Sequence, residues 1–142
     1  RDSSPSRGLG DVYKRQYHKH IIMEIYKDIT FEAAHLLPNL PDGHKCSRLH
    51  GHSFKLRISV NGDIDKKVGW VKDFSDIKEV FDPIYDQLDH RCLNDIKGLE
   101  NPTSENIVIW IWNKLKPSLP ILSSLELKET CTTGCIYRGE NA

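Results

Sequence analysis

The chain has 142 residues, 38% of them hydrophobic, which suffices for one domain with a sizeable core. Its formal net charge is zero and its pI is about 7.2, so no global positive charge argues for a nucleic-acid partner. No apolar run approaches the roughly 18 residues that would argue for a membrane span.

Residues 1–22 stand apart. They are polar, show no apolar period and lack the hydrophobic core of a signal peptide. The single Met of the chain is Met23, where the first clean alternation begins. We read 1–22 as an adapter-derived or disordered extension and 23–142 as the folded domain. That domain carries 15 Lys/Arg and 18 Asp/Glu, a net charge of −3. Without a secretory signal, Cys46, Cys92, Cys131 and Cys135 read as reduced thiols of a cytoplasmic protein. The spacing of Cys131 and Cys135 fits neither a redox motif nor a zinc knuckle, so both are expected as small buried hydrophobes.

In chain order, residues 24–35 alternate as a strand, with Ile25, Ile29, Phe31, Ala33 and His35 on one parity. Residues 36–49 are turn-rich. A second strand follows over 50–61, in which His50 and His52 share the parity of Phe54, Leu56, Ile58 and Val60. Asp73 is a plausible helix cap, and Ile77, Val80, Phe81, Ile84, Tyr85 and Leu88 recur at helical spacing. Pro83 within that run predicts a kink or a break. Asp89-His90 and a connector over 91–102 come next. A second helix starts with Asn101 or Thr103 as cap and stops at Pro117, with Ile107, Ile109, Trp110, Ile111 and Leu115 on its apolar side. Leu125, Leu127, Glu129 and Cys131 form a third strand, and 135–138 a short fourth. The order ββααββ suggests an α+β fold, helices covering one face of a sheet.

Four of the domain's five histidines fall within residues 35–52. On a strand, His50 and His52 point to one face about 7 Å apart, and a neighbouring strand can bring His35 alongside. Three neutral imidazoles suit zinc and leave a coordination position open. A bulge at Gly51 would instead distort the cluster. Cys46 is either a fourth ligand closing a structural site or a reactive thiolate outside it. Glu129 shares the parity of core residues, so its carboxylate needs a partner there: a salt bridge, an outward-turning bulge, or a ligand with adjacent N–H donors. Asp89 beside His90 can fix an imidazole tautomer. A metal with an open site, a thiol, an Asp/His pair and an inward carboxylate point to proton abstraction next to a carbonyl or carbinol.

His35, Cys46 with His50-Gly51-His52, Leu88-Asp89-His90, Pro102-Thr103-Ser104-Glu105-Asn106 and Lys128-Glu129-Thr130 together resemble the 6-pyruvoyl-tetrahydropterin synthase family, over essentially all of 23–140. Only three residues separate Cys46 from His50. That gap, and the run from Lys128 to Glu140, are similar to the carboxy-forming, queuosine-pathway branch. The resemblance implies a tunnelling (T-fold) architecture: a four-stranded antiparallel sheet with two helices on one face. Subunits would assemble by sheet pairing into trimers and then a homohexamer, with active sites between subunits. It implies zinc on His35, His50 and His52, and Cys46 as general base. Asp89 and His90 would relay protons, and Glu129 would bind the pterin with Thr103 and Ser104. The implied reaction converts 7,8-dihydroneopterin triphosphate to 6-carboxytetrahydropterin, acetaldehyde and triphosphate, with no direct nucleic-acid or membrane partner.

Overall fold

The computed structural model describes residues 21–140. The extension expected over 1–22 therefore lies outside the described residues, apart from its last two. The first strand, β1 (Ile22–His35), begins one residue before Met23 and pairs from Ile22↔Asp63 to His35↔His50 with β2 (His50–Asp63). Helix α1 (Phe74–Leu88), a two-residue strand β3 (Arg91–Cys92), helix α2 (Ser104–Leu115), β4 (Leu122–Thr130) and β5 (Thr133–Tyr137) follow. The sheet order is β3-β1-β2-β4-β5.

Among the described residues the sheet thus has five strands, not the four expected. The extra one, β3, runs parallel to β1 through Ala33↔Arg91 and Ala34↔Cys92. So short a strand carries no period to read. Tertiary anchoring creates it: the Asp89 carboxylate accepts the Glu32 N–H at 2.9 Å, and the His90 N–H donates to the Glu32 carbonyl at 2.5 Å. His90 takes a positive φ of 60° to do so, a conformation uncommon outside glycine.

The alternation of β1 and β2 buries Phe31, Phe54, Leu56, Ile58 and Val60 on one face. Against them pack Ile77, Phe81, Ile84 and Leu88 of α1 and Ile107, Val108, Ile111, Trp112 and Leu115 of α2, with Leu125 and Leu127 of β4. Each such side chain contributes about 1.5–3 kcal/mol by leaving water. Asp73 caps α1 by accepting the Ser75 N–H at 2.9 Å, and Thr103 caps α2 by accepting the Asn106 N–H at 3.1 Å. The helix α1 runs unbroken through Pro83. This proline sits on the exposed side, where water can take the Glu79 carbonyl that loses its partner. On α2 the buried stripe includes Val108 and Trp112, whereas Ile109 is exposed. Cys131 is also exposed, against expectation, because β4 ends at Thr130 and Cys131 falls in the turn; Cys135, on β5, is only partly buried.

A three-histidine cluster at the end of the sheet

The β1–β2 pairing is continuous through Ala34↔Gly51, so no bulge interrupts the parity at Gly51. His35 stands opposite His50, and His52 stands opposite Ala33. All three imidazoles therefore continue the core-facing side of Phe31 and Phe54 to the end of the sheet. Their ring centroids lie 4.6 Å (His35–His50), 5.2 Å (His35–His52) and 4.9 Å (His50–His52) apart. The rings of His35 and His52 also meet Phe54 edge-on at 5.5 and 5.3 Å.

The tautomers follow from the partners. His35 Nδ1 lies 2.7 Å from the Pro102 carbonyl, and His50 Nδ1 lies 2.7 Å from the Arg48 carbonyl. A carbonyl only accepts, so both Nδ1 atoms carry hydrogen and both Nε2 lone pairs are left free. The Nε2 atoms of His35 and His52 are buried without a hydrogen-bond partner. Burial first, opposed by the Pro102 hydrogen bond, lowers the His35 pKa and holds that ring neutral. One ligand atom from each of the three histidines lies within 4.8 Å of the others.

This arrangement fits a metal ion. Buried unpaired nitrogens are costly, and one cation would engage them together. The carbonyl-bound Nδ1–H groups are the outer-shell contacts that orient imidazole ligands. The donor set of three neutral nitrogens suits zinc and leaves a position open. Cys46 is not a member of the ligand group, which favours the reading of an open site over a closed one.

Cys46 lies half-buried in a 3-10 turn, Lys45–Ser47. His44 Nδ1 accepts the Cys46 N–H at 3.1 Å, and the Cys46 carbonyl accepts the Leu37 N–H at 2.9 Å. The loop is thereby tied to the chain two residues beyond His35. His44 is the cap of this turn.

Glu129 keeps its carboxylate on the helix side, although the β4–β5 pairing shifts register across it, between Lys128 and Thr130. The Ser104 hydroxyl donates a short hydrogen bond to Glu129 Oε2. Glu129 Oε1 is 3.5 Å from His52 Nε2, an ion-pair distance rather than a hydrogen bond. The carboxylate is only 27% exposed. Thr103 uses one lone pair of its oxygen to cap α2, which leaves its hydroxyl proton available to a ligand. Asp89 Oδ2 lies 2.8 Å from His90 Nδ1. The Glu32 N–H, then His90, hold the Asp89 carboxyl below the usual carboxylate range. Asp89 is thus ionised, His90 Nδ1 carries hydrogen, and Nε2 is the free end of the pair. The His90 side chain is 78% exposed. The ring bonds Asp89, and the backbone N–H bonds the Glu32 carbonyl.

Of the nine expected site residues, the structure brings His35, His50, His52, Ser104 and Glu129 into one cluster. Thr103 caps the helix that carries Ser104, Cys46 is tied by its carbonyl to Leu37 two residues beyond His35, and Asp89-His90 leads into the neighbouring edge strand β3. Sequence reasoning missed the Pro102 and Arg48 carbonyls and the side chain of Asn94, which bonds the backbone of Leu36. No local pattern signals those contacts.

The family model described as 6-pyruvoyl tetrahydropterin synthase matches residues 24–140. The chain belongs to the 6-pyruvoyl tetrahydropterin synthase family. A relative from Synechocystis, named 6-carboxy-5,6,7,8-tetrahydropterin synthase, is 50% identical over 119 residues, covering 80% of this chain and 91% of its own. One from Pyrococcus furiosus, named dihydroneopterin monophosphate aldolase, is 42% identical over 91 residues, covering 64% of this chain and 73% of its own. The solved 6-pyruvoyl tetrahydropterin synthase of Caenorhabditis elegans superposes with a TM-score of 0.77 at 28% identity, covering 84% of this chain and 97% of that one. This 6-pyruvoyl tetrahydropterin synthase family member is accordingly an enzyme, a pterin-synthase lyase with the T-fold. No helix among the described residues is long and apolar enough to cross a membrane.

Proposed function

We propose that this enzyme converts 7,8-dihydroneopterin triphosphate and water to 6-carboxy-5,6,7,8-tetrahydropterin, acetaldehyde and triphosphate, a step of queuosine biosynthesis. The observation that carries the reading is the pairing of an open three-histidine cluster with a carboxylate held 3.5 Å from it. Likeness to the Synechocystis relative supports the carboxy-forming outcome. His35, His50 and His52 would hold zinc, which when bound supplies Lewis acidity to the oxygens of the substrate side chain.

The remaining steps belong to the chain's own groups. Glu129, one oxygen tied to the Ser104 hydroxyl, accepts the 2-amino and ring N–H donors of the pterin, and the Thr103 hydroxyl contributes a donor. This fixes the ring and so points its side chain at the cluster. Cys46 takes a proton from the side-chain carbon. His90, with Nδ1–H held by ionised Asp89, moves protons at Nε2. The exposure of His90 supports completion of the site by a second copy. The outer edge of β1 is paired by β3 only at Ala33 and Ala34 among the described residues, and such edges seek partners. We read the assembly as a homohexamer, a dimer of trimers, working in the cytoplasm with its four thiols reduced. Residues 1–22 play no part in this reading, and neither nucleic acid nor membrane is a direct partner.

The test is mass spectrometry of products from zinc-loaded protein and 7,8-dihydroneopterin triphosphate, with a chelated control. Zinc-dependent 6-carboxytetrahydropterin with acetaldehyde is the expected result. A 6-pyruvoyl product, or simple side-chain loss as the aldolase name of the Pyrococcus relative suggests, would overturn the carboxy-forming assignment. A folded, zinc-bound protein with no turnover would overturn the enzymatic mechanism drawn above.

A further inference from the structure

We propose that Asn94 is a positioning residue for Cys46, acting through the end of β1. The parallel pairing of β1 with β3 stops at Ala34↔Cys92. Beyond it the chain turns into the 3-10 turn Leu93–Asp95, so its backbone can no longer supply rungs to β1. The primary amide of Asn94 supplies the next rung in their place. Its Oδ1 accepts the Leu36 N–H at 3.0 Å, and its Nδ2 donates to the Leu36 carbonyl at 2.9 Å. The same Nδ2 reaches the Glu100 carbonyl at 3.4 Å. A side-chain amide is the one group with both a donor and an acceptor at peptide spacing, so it can replace a strand neighbour at a single residue.

Leu36 is where that clamp matters. On one side of it stands His35, whose Nδ1 is fixed on Pro102. On the other stands Leu37, whose N–H holds the Cys46 carbonyl. The path from Asn94 to the Cys46 backbone is therefore the two Asn94–Leu36 hydrogen bonds, the Leu36–Leu37 peptide and one further hydrogen bond. The other hold on the Cys46 backbone is local, the cap from His44 within the same turn. The histidine cluster does not depend on this joint, because β1–β2 pairing sets it from Phe31↔Phe54 to His35↔His50. Loss of Asn94 frees the Cys46 turn while leaving the ligand triad in register. The catalytic consequence rests on the reading of Cys46 as general base; the effect on thiol position does not.

The test compares wild type with Asn94→Leu, similar in volume but without the amide, and with Asn94→Asp, which keeps the acceptor and loses the donor. Alkylation of the zinc-loaded proteins by iodoacetamide is followed thiol by thiol with peptide mass spectrometry. In Asn94→Leu, Cys46 alkylation should change by about fivefold, the signature of a local opening rather than a global one. Cys131 and Cys135 should react at wild-type rates, and zinc content should stay unchanged; Cys92, whose thiol reaches Asn94 Oδ1 at 3.9 Å, is left out of the comparison. Asn94→Asp should fall between Asn94→Leu and wild type. On the dihydropterin substrate, Asn94→Leu should lower kcat about tenfold or more, as small misplacements of reacting groups do, with KM within about twofold of wild type. Equal acceleration of Cys46, Cys131 and Cys135 would make Asn94 a general stability residue and overturn the proposal. So would an unchanged Cys46 rate. If Asn94→Leu does not fold, Asn94→Asp decides alone: a selective Cys46 change supports the proposal, and none overturns it. A selective Cys46 change in a protein whose wild type makes no product would uphold the positioning role and reject the enzymatic reading.

Discussion

Replacing His35 by Leu separates the histidine cluster's role in metal binding from its role in packing. His35 is fully buried, with Nε2 unpaired and Nδ1 on the Pro102 carbonyl. In metal-free protein, Leu removes the unpaired nitrogen but strands that carbonyl. Each unpaired buried group costs about 1–3 kcal/mol, so the two changes offset and the metal-free Tm should move by no more than about 4 °C. Metal reverses the balance. A ligand that binds only the folded state stabilises it by about 2.7 kcal/mol at a hundred times its Kd. For a domain of this size that is a rise of roughly 10 °C. Wild type should show this rise between EDTA and saturating zinc, while His35→Leu should lose most of it. The assay is thermal unfolding by circular dichroism at one fixed protein concentration, because subunit association also shifts Tm. A full zinc-induced rise in His35→Leu would refute the argument that this cluster holds the metal.

Metal-free wild type should also lose stability as pH falls. The folded-state pKa of His35 is lowered, chiefly by burial, so below about 6.5 the unfolded chain binds more protons and stability drops. Urea titrations at neutral pH and near pH 5.5 should show this decline, shallower in His35→Leu. Asp89 acts in another window: its carboxyl is lowered by the Glu32 N–H and then by His90, so its contribution is present above the usual carboxylate pKa and goes only in stronger acid. Ser104→Ala removes the donor to Glu129. Hydrogen bonds to charged groups are worth about 1.5–3 kcal/mol, so KM for the pterin should rise about tenfold with zinc affinity unchanged; coupled loss of zinc would contradict the separation of the two roles. Asp89→Asn can still accept the Glu32 N–H but no longer holds His90 as a carboxylate does. Steady-state turnover should fall about a hundredfold, with the melting curve close to wild type.

What could be read in the sequence was what repeats. The parity of Phe31, Ala33 and His35, and of His50, His52 and Phe54, is a property of two regular strands, and their pairing reproduces it without slip. Glu129 was legible for the same reason, since its parity with Leu125 and Leu127 places it on the helix side even where β4 and β5 lose register. The groups that orient these side chains were not legible. Pro102 lies 67 residues from His35, and Asn94 lies 58 from Leu36. Those contacts depend on where connectors return to the sheet, and connectors carry no period. The two-residue β3 and the exposed Cys131 escaped for the same reason, being set by an anchor and by a turn.

The location of the site follows from that division. Along β1 and β2 the core-facing positions are apolar while the helices cover them, from Val60 to Phe54 and back through Phe31. At the last rungs the same positions become His52, His50 and His35. Imidazoles there keep one apolar flank on Phe54 while turning nitrogens toward a common point. An apolar residue would close the core, and an aliphatic cation would be buried without a partner. Neutral imidazole is compatible with both demands only if its Nδ1–H is bonded elsewhere, which the Pro102 and Arg48 carbonyls supply for His35 and His50. The long connector 36–49 is therefore more than a link between strands. Its Arg48 carbonyl orients one ligand, and its Leu37–Cys46 hydrogen bond holds the backbone that carries the thiol, so shortening it should disturb His50 and Cys46 together while leaving the β1–β2 register intact.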